Sequence, residues 1–439
     1  MFEALPLLLF ALVFVLILFG YPVAFTLAGL SIGIGIIVFD VDFFYLLSLR
    51  ISGTMSNFVL IAVPLFIYMG IMLEKSGLAE SLLETMALLF GKFRGGLAIS
   101  VVIVGAMLAA STGIVGATVI TMGMISLPTM LKRGYSPRLA TGIIASAGTL
   151  GQIIPPSVVL VLLGSVLNIS VGDLFSAALI PGFTLVFMYL IYIIGYSLVF
   201  PDKAPCMPED EIKAFRQKGM LMRVIKAFLL PFMLIIAVLG SIFAGIASPT
   251  EAAGVGALGA TLLTVLQGKF SRKVHKNVIR ETTHLTCMVF IILIGATAFS
   301  LVFRGLGGDR YLISLIESAN LTPAYFLLMV MIAVFIAGFF IDFIEIIFIF
   351  VPVIAPIFSA LGIDLVWIGI LLALNLQTSF LTPPFGFSLF YLKGVAPEGV
   401  TTGDIYRGII PFVLLQVIFL GLVAAFPEMV SYLPELLKE

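Results

Sequence analysis

GTLGQIIPPS at residues 148–157 and NLQTSFLTPP at residues 375–384 decide the fold. Each carries a proline pair, Pro155-Pro156 and Pro383-Pro384, inside an otherwise apolar segment. Proline offers no N–H and its ring collides with the preceding turn, so each pair breaks its helix. In a bilayer, a broken helix is tolerated only where protein buries it or it lines a cavity. Two breaks at corresponding places in two halves point to a binding site near the membrane midplane, as in secondary transporters.

The flanking sequence supplies the membrane. The chain is 61% hydrophobic and 10% charged, with a mean hydropathy of +1.25. Apolar runs of 17 or more residues recur along it, each long enough to cross a hydrocarbon core of about 30 Å. This predicts an all-α polytopic membrane protein. The formal net charge is zero, so no basic face points to nucleic acid. Cys206 and Cys287 are too few for a disulfide framework and lack metal-ligand spacing. The first apolar run, from Leu5, has no preceding Lys or Arg and no small-residue cleavage pattern after it. It reads as a retained span rather than a signal peptide.

Crossing segments are expected near 5–20, 22–40, 57–73, 137–167, 173–199, 227–246, 249–267, 283–303, 364–392 and 404–426. Two longer apolar stretches, 97–131 and 323–360, have polar or Gly-rich centres at Ser111-Thr112-Gly113 and at GFFID, 338–342. They read as re-entrant hairpins that enter and leave on the same side. With the N-terminus outside, all 23 Lys and Arg fall in inner loops except Arg50, Arg304, Arg310 and Lys438. The inner set includes a loop at 203–226 and another at 269–280. This positive-inside bias supports the orientation and both hairpins. Making either hairpin a crossing would invert every later loop.

The halves also repeat. Pro22 matches Pro249, Pro155 matches Pro383, and Gly172-Asp173 with Pro181 matches Gly403-Asp404 with Pro411, at a nearly constant offset of about 227–231. Each half has five crossings, a re-entrant hairpin and a broken helix. Five is odd, so the second half is inverted relative to the first. The expected divisions are a first repeat at 1–200, a solvated cytoplasmic linker at 201–226 and a second repeat at 227–439.

A broken span exposes carbonyls at one half-helix end, which suit Na⁺, and N–H groups at the other, which suit a carboxylate. Na⁺ prefers hard oxygen ligands. Candidates at the first break are Ser111, Thr112, Gly148, Thr149 and Gly151; at the second they are Asp342, Asn375, Thr378 and Thr382. Single Ser and Thr residues in membrane helices often only bond a neighbouring carbonyl. Clustered beside hairpin tips and breaks, they read as an ion site. Asp342, an acid inside an apolar hairpin with Glu345 one turn on, is the sharpest candidate. Pro156, Ser157 and Pro384 are the candidate substrate contacts at the breaks. Arg304, beside Gly305 and Gly307, is a candidate to meet substrate or an outer partner, or to anchor at the interface. Glu251, just after Pro249, reads as a helix-start acid. His275 and His284 form no HExxH, and Gly91-Lys92 and Gly268-Lys269 are followed by Phe, so no Walker A loop exists. No cofactor is expected, and uphill work must come from an ion gradient or a partner.

RGYSPRLATGIIASAGTLGQIIPPS (133–157), Asp173-Leu174-Phe175 with Ile180-Pro181-Gly182, SPTEAAG (248–254), GFFID (338–342) and LTPPFG (381–386) together resemble the large membrane subunit of TRAP (tripartite ATP-independent periplasmic) transporters. The match runs in order over nearly the whole chain. The resemblance implies an elevator-type transporter, with a scaffold and a mobile domain, in a bacterial inner membrane with both termini periplasmic. It implies Na⁺ coupling, a small four-span membrane partner, and a periplasmic binding protein delivering an organic acid. It carries the sodium roles onto the hairpin tips and helix breaks named above. One departure is Gln377-Thr378-Ser379-Phe380, where many relatives are Gly-rich. FGFSLF at 385–390 is similar to the branch associated with 2-oxo acids and other monocarboxylates. Two other readings compete. One is a stand-alone Na⁺/carboxylate symporter of the same broad design, which neighbouring genes for the partners would disfavour. The other is an intramembrane enzyme using Asp342 and Glu345, although no motif positions a second catalytic group.

Overall fold

The computed structural model describes residues 4–113, 115–217 and 220–437, except for the side chains of residues 111, 112, 216 and 217. No strand occurs among these residues. The first half runs α1 (Leu5–Leu18), α2 (Val23–Val38), α3 (Tyr45–Met55), α4 (Ala62–Lys75), α5 (Leu78–Leu89), α6 (Gly96–Thr112), α7 (Val115–Lys132), α8 (Pro137–Thr149), α9 (Val158–Leu167) and α10 (Val171–Val199). After α11 (Glu209–Gln217) and α12 (Met220–Val224) come α13 (Leu230–Phe243), α14 (Pro249–Leu266), α15 (Arg272–Gly305), α16 (Gly308–Ser318), α17 (Pro323–Ala337), α18 (Phe343–Ala360), α19 (Leu365–Leu381), α20 (Phe387–Val395), α21 (Thr402–Ala425) and α22 (Glu428–Leu436). Among the described residues, eight helices are long and apolar enough to cross a membrane. Phe183, Phe187, Ile191 and Leu198 on α10 recur at helical spacing and are exposed, as expected of a face toward lipid.

Two groups of helices emerge from the packing. In one, α2 lies against α15 and α14 against α4, with α4 and α15 in mutual contact. A Cβ at Gly295 would stand 2.5 Å from the Ala24 carbonyl oxygen, so the small residue lets α15 and α2 touch backbone to backbone. The other group holds both hairpins and both broken helices. Gly142 and Gly408 let α8 and α21 approach in the same way: a Cβ at Gly142 would overlap the Gly408 carbonyl, and one at Gly408 the Arg138 carbonyl.

Many contacts inside each group repeat between halves. The pair α2–α15 matches α14–α4, and α1–α2 matches α13–α14. In the second group α6–α8 matches α17–α19, α7–α20 matches α18–α9, and α8–α21 matches α19–α10.

Both hairpins and both breaks form as the sequence predicts. Gly113 adopts φ +61° and closes α6, and a turn at Gly338–Ile341 separates α17 from α18. The Pro155-Pro156 and Pro383-Pro384 bonds are cis, and each pair lies between two helices.

Other expectations need correcting. The 269–280 stretch is not a loop, because α15 starts at Arg272, capped by the Ser271 hydroxyl 3.1 Å from the Val274 N–H. The linker is not merely solvated. Gly95 N–H donates to Ala204 O at 2.9 Å, Met207 N–H to Gly91 O at 2.9 Å and Ser136 N–H to Lys203 O at 3.1 Å. Ala204, Ile212 and Phe215 are buried, so the linker is bolted onto the open end of the first hairpin. The short helices α3, α5 and α16 were not expected, because each is too short to register as a span.

Candidate functional site

The first hairpin tip meets the first break. A Cβ at Gly113 would stand 2.9 Å from the Val158 nitrogen, and one at Gly151 would overlap the Ala109 carbonyl. The second tip meets the second break, since a Cβ at Gly338 would overlap the Ser379 hydroxyl. The 3-10 turn Leu150–Gln152, which continues α8, also packs against α19. Both tips and both breaks are therefore neighbours.

Between them lies a cavity of about 230 Å³. Val115, Gly116 and Val158 line it from the first half, Asp342, Phe343, Phe380, Phe387 and Tyr391 from the second, and Leu285, Met288 and Val289 from α15. A wider cavity of about 580 Å³ shares Gly116, Leu285 and Tyr391 with it and continues to Lys75, Arg280 and His284. A third, of about 640 Å³, lies further along α15 at Leu293, Thr297 and Arg304, and has no lining residue in common with the central one. The central cavity thus adjoins the wider one at the Lys75–Arg280 end and shares no wall with the one at the Arg304 end.

Helices α9 and α20 both begin at this cavity, and neither has a side-chain cap. Their first N–H groups are unsatisfied within the helix and present the positive end of the helix dipole. The start of α18 differs. Asp342 Oδ1 accepts from Phe343 N–H at 2.7 Å, and Glu345 Oε2 accepts from Asp342 N–H at 3.2 Å, a reciprocal capping box. Asp342 is only half-buried and also lines the cavity. It thus caps its helix while retaining carboxylate lone pairs. Glu251 is confirmed as a helix-start acid, with Ser248 N–H donating to its Oε2 at 2.8 Å.

The remaining candidates sort differently. Thr149 donates to Ser146 O at 2.8 Å, Thr378 to Leu374 O at 2.7 Å and Thr382 to Thr378 O at 2.8 Å. These hydroxyls bond their own helices. Gly148 is a packing glycine, since a Cβ there would overlap the Val119 side chain. Asn375 Nδ2 donates to Met331 O at 2.7 Å and ties α19 to α17. The side chains of Ser111 and Thr112 lie outside the described residues. Pro156 and Ser157 are buried, and the Ser157 hydroxyl donates to Gln152 O at 3.0 Å. Pro384 is exposed, and its carbonyl accepts from the Tyr406 hydroxyl at 2.6 Å. None of the three lines the central cavity; Val158 and Phe387 do. Arg304 sits at the far cavity, where its Nη2 donates to Pro352 O at 3.3 Å and its Nε lies 3.5 Å from Asp309.

Two glutamines were missed. Gln152 and Gln377 are fully buried, and neither amide has a hydrogen-bond partner among the described residues. Burying an amide unpaired costs free energy, so each marks a position that a ligand could complete. The signal was available, because both stand inside the two decisive stretches.

A family model described as "Tripartite ATP-independent periplasmic transporter, DctM component" matches residues 10–429. The chain is 33% identical over 409 residues to the C4-dicarboxylate TRAP transporter large permease protein of Pseudomonas aeruginosa, with 92% of this chain and 93% of that one covered. It is 28% identical over 418 residues to the sialic acid TRAP transporter large permease protein of Vibrio cholerae, covering 95% of each. In fold it is similar to the YdaH transporter of Alcanivorax borkumensis, with a TM-score of 0.64 at 13% identity over 96% of this chain and 98% of that one. That likeness extends to the fold alone. Motifs, full-length similarity and the paired hairpins and breaks agree, and the chain belongs to the DctM-component family, the large membrane subunits of TRAP transporters.

Proposed function

We propose that this chain carries an organic acid across the bacterial inner membrane, driven by Na⁺, in complex with a small four-span subunit and a periplasmic binding protein. The observation that carries the reading is the pair of uncapped N-termini, α9 and α20, at one cavity. Converging N–H groups and helix dipoles suit a carboxylate, as they do in discontinuous transporter helices. Opposite them, the C-terminal ends of α8 and α19 offer carbonyls for Na⁺. The residue types at the breaks suit the ion: Gln152 and Gln377 carry buried amide oxygens without a partner among the described residues, and Asp342 brings a carboxylate to the cavity. Both curated relatives described above are named for acids, which supports the substrate class.

The repeat boundaries at 200 and 227, the termini outside, and the Lys75–Arg280 end inside belong to the same proposal. The charge bias supports the orientation. Under it, the structure is open inward. The hairpin-bearing group would travel along α4 and α15, which form the fixed scaffold with α2 and α14.

Proteoliposomes holding this chain and its small subunit test the reading. Uptake of an acid that the cognate binding protein retains is expected only with all three components and an inward Na⁺ gradient. Uptake by this chain alone would establish the stand-alone symporter instead. Uptake undiminished when K⁺ replaces Na⁺ would remove the coupling ion.

A further inference from the structure

The cavity at the Arg304 end has no role in the site described above. At about 640 Å³ it is the largest of the three. It is walled by both groups of helices: Arg50 and Asn57 from the scaffold side, Ser165 and Asn168 at the end of α9, and Ser359 at the end of α18. Its lining includes Arg50 and Arg304 and no acidic residue. Arg304 is partly offset by Asp309, 3.5 Å away at the rim, and Arg50 has no ion pair among the described residues. Burial, and then the Arg304 charge, push the Arg50 guanidinium below its usual value. Two arginines that feel each other's charge, in a cavity lined by no acidic residue, leave a place for an anion.

We propose that this vestibule is an anion-capture site that takes the carboxylate of an incoming organic acid between Arg50 and Arg304. It rests on the organic-acid reading above. Arginine suits the task because its planar fork grips a carboxylate through two parallel hydrogen bonds. Cationic lining in a concave, low-dielectric mouth also concentrates anions and excludes cations. The site is distinct from the central one, with which it shares no lining residue. The same helix, α15, borders both, at Val289 and at Leu293. An acid captured here thus waits about one helical turn from the level of the central cavity.

The test uses the full chain in detergent, with Cys206 and Cys287 replaced by serine and a cysteine placed at Ser359. Labelling rates are compared for an anionic reagent, methanethiosulfonate ethylsulfonate, and a cationic one, methanethiosulfonate ethyltrimethylammonium, each relative to free cysteine. The anionic reagent should be favoured by about fivefold, given two screened charges within a Debye length. The preference should vanish in Arg50→Gln/Arg304→Gln. Succinate or pyruvate should slow labelling of the arginine-containing protein and leave the double variant unaffected, whereas glycerol should affect neither. A preference unmoved by the arginine substitutions, or equal slowing in both proteins, would overturn the proposal. The anion preference is read without transport, so it stands even if the cognate binding protein retains no carboxylic acid. That result would fail the organic-acid reading separately.

Discussion

Under the proposed Na⁺ reading, Asp342 serves both helix and ion. Its Oδ1 holds the first N–H of α18 at 2.7 Å, and asparagine caps a helix about as well as aspartate. Asp342→Asn should therefore fold and assemble, yet lose the charge at the cavity. A charge-assisted contact is worth about 1.5–3 kcal/mol, so the Na⁺ concentration for half-maximal uptake should rise by about one to two decades. Unchanged Na⁺ dependence would leave Asp342 with the cap alone. Glu251→Gln, in the capping box at Ser248, should leave Na⁺ dependence where it was. Gln152 and Gln377 make the opposite trade. Replacing either with leucine removes an unpaired buried amide, which should raise the thermal unfolding temperature by the equivalent of about 1–3 kcal/mol. The same change should abolish Na⁺-driven uptake. Raised stability with full uptake would make the amides bystanders.

Among the elements, the hairpin tips are set by what glycine permits. The Gly338 backbone approaches α19 so closely that a Cβ would overlap the Ser379 hydroxyl and stand 2.8 Å from its Cβ. Gly338→Ala should destabilise by about 1–3 kcal/mol, the usual cost of overpacking. Adding Ser379→Ala should recover part of that loss, because the oxygen goes while the β-carbon stays. Equal stability of the single and double variants would mean that the tip relaxes away from α19. GFFID at 338–342 showed this turn in sequence. The break at Pro383-Pro384 was equally legible, because proline acts through its own ring and missing donor. The helices α3, α5 and α16 were not, since short amphipathic segments gain stability from the surface that receives them.

Taking the whole molecule, many contacts within each group of helices have counterparts in the other half, whereas the contacts between the groups do not. Helix α4 packs closely on α6 and α9, whereas α15 packs on α18. Rigid groups displaced from a symmetric midpoint give this pattern. Among the described residues, polar contacts bridge them from Thr121 to Glu74 at 2.5 Å, Asn57 to Ser165 at 3.2 Å, and Arg304 to Pro352 O at 3.3 Å. If the hairpin-bearing group moves as proposed, its stroke must break these contacts. Asn57→Cys with Ser165→Cys, bridged by Hg²⁺, should stop uptake, and excess thiol should restore it, while each single variant stays insensitive. Uptake that survives the bridge would show that α9 does not slide on the scaffold.

The sequence by itself determined the membrane class, both breaks, both hairpins and the family, because these depend on local covalent facts and on the hydropathy of contiguous runs. The 227–231 offsets likewise announced the repeat. Only the tertiary structure decided where the polar side chains find their hydrogen bonds. Thr149, Thr378 and Thr382 bond their own helices, while Gln152 and Gln377 are left unpaired. A hydroxyl reaches a carbonyl one turn back, whereas an amide's partners depend on what packs beside it. The end to which the cavity opens was also settled in three dimensions, because the placement of one rigid group along α4 and α15 leaves no trace in the order of residues.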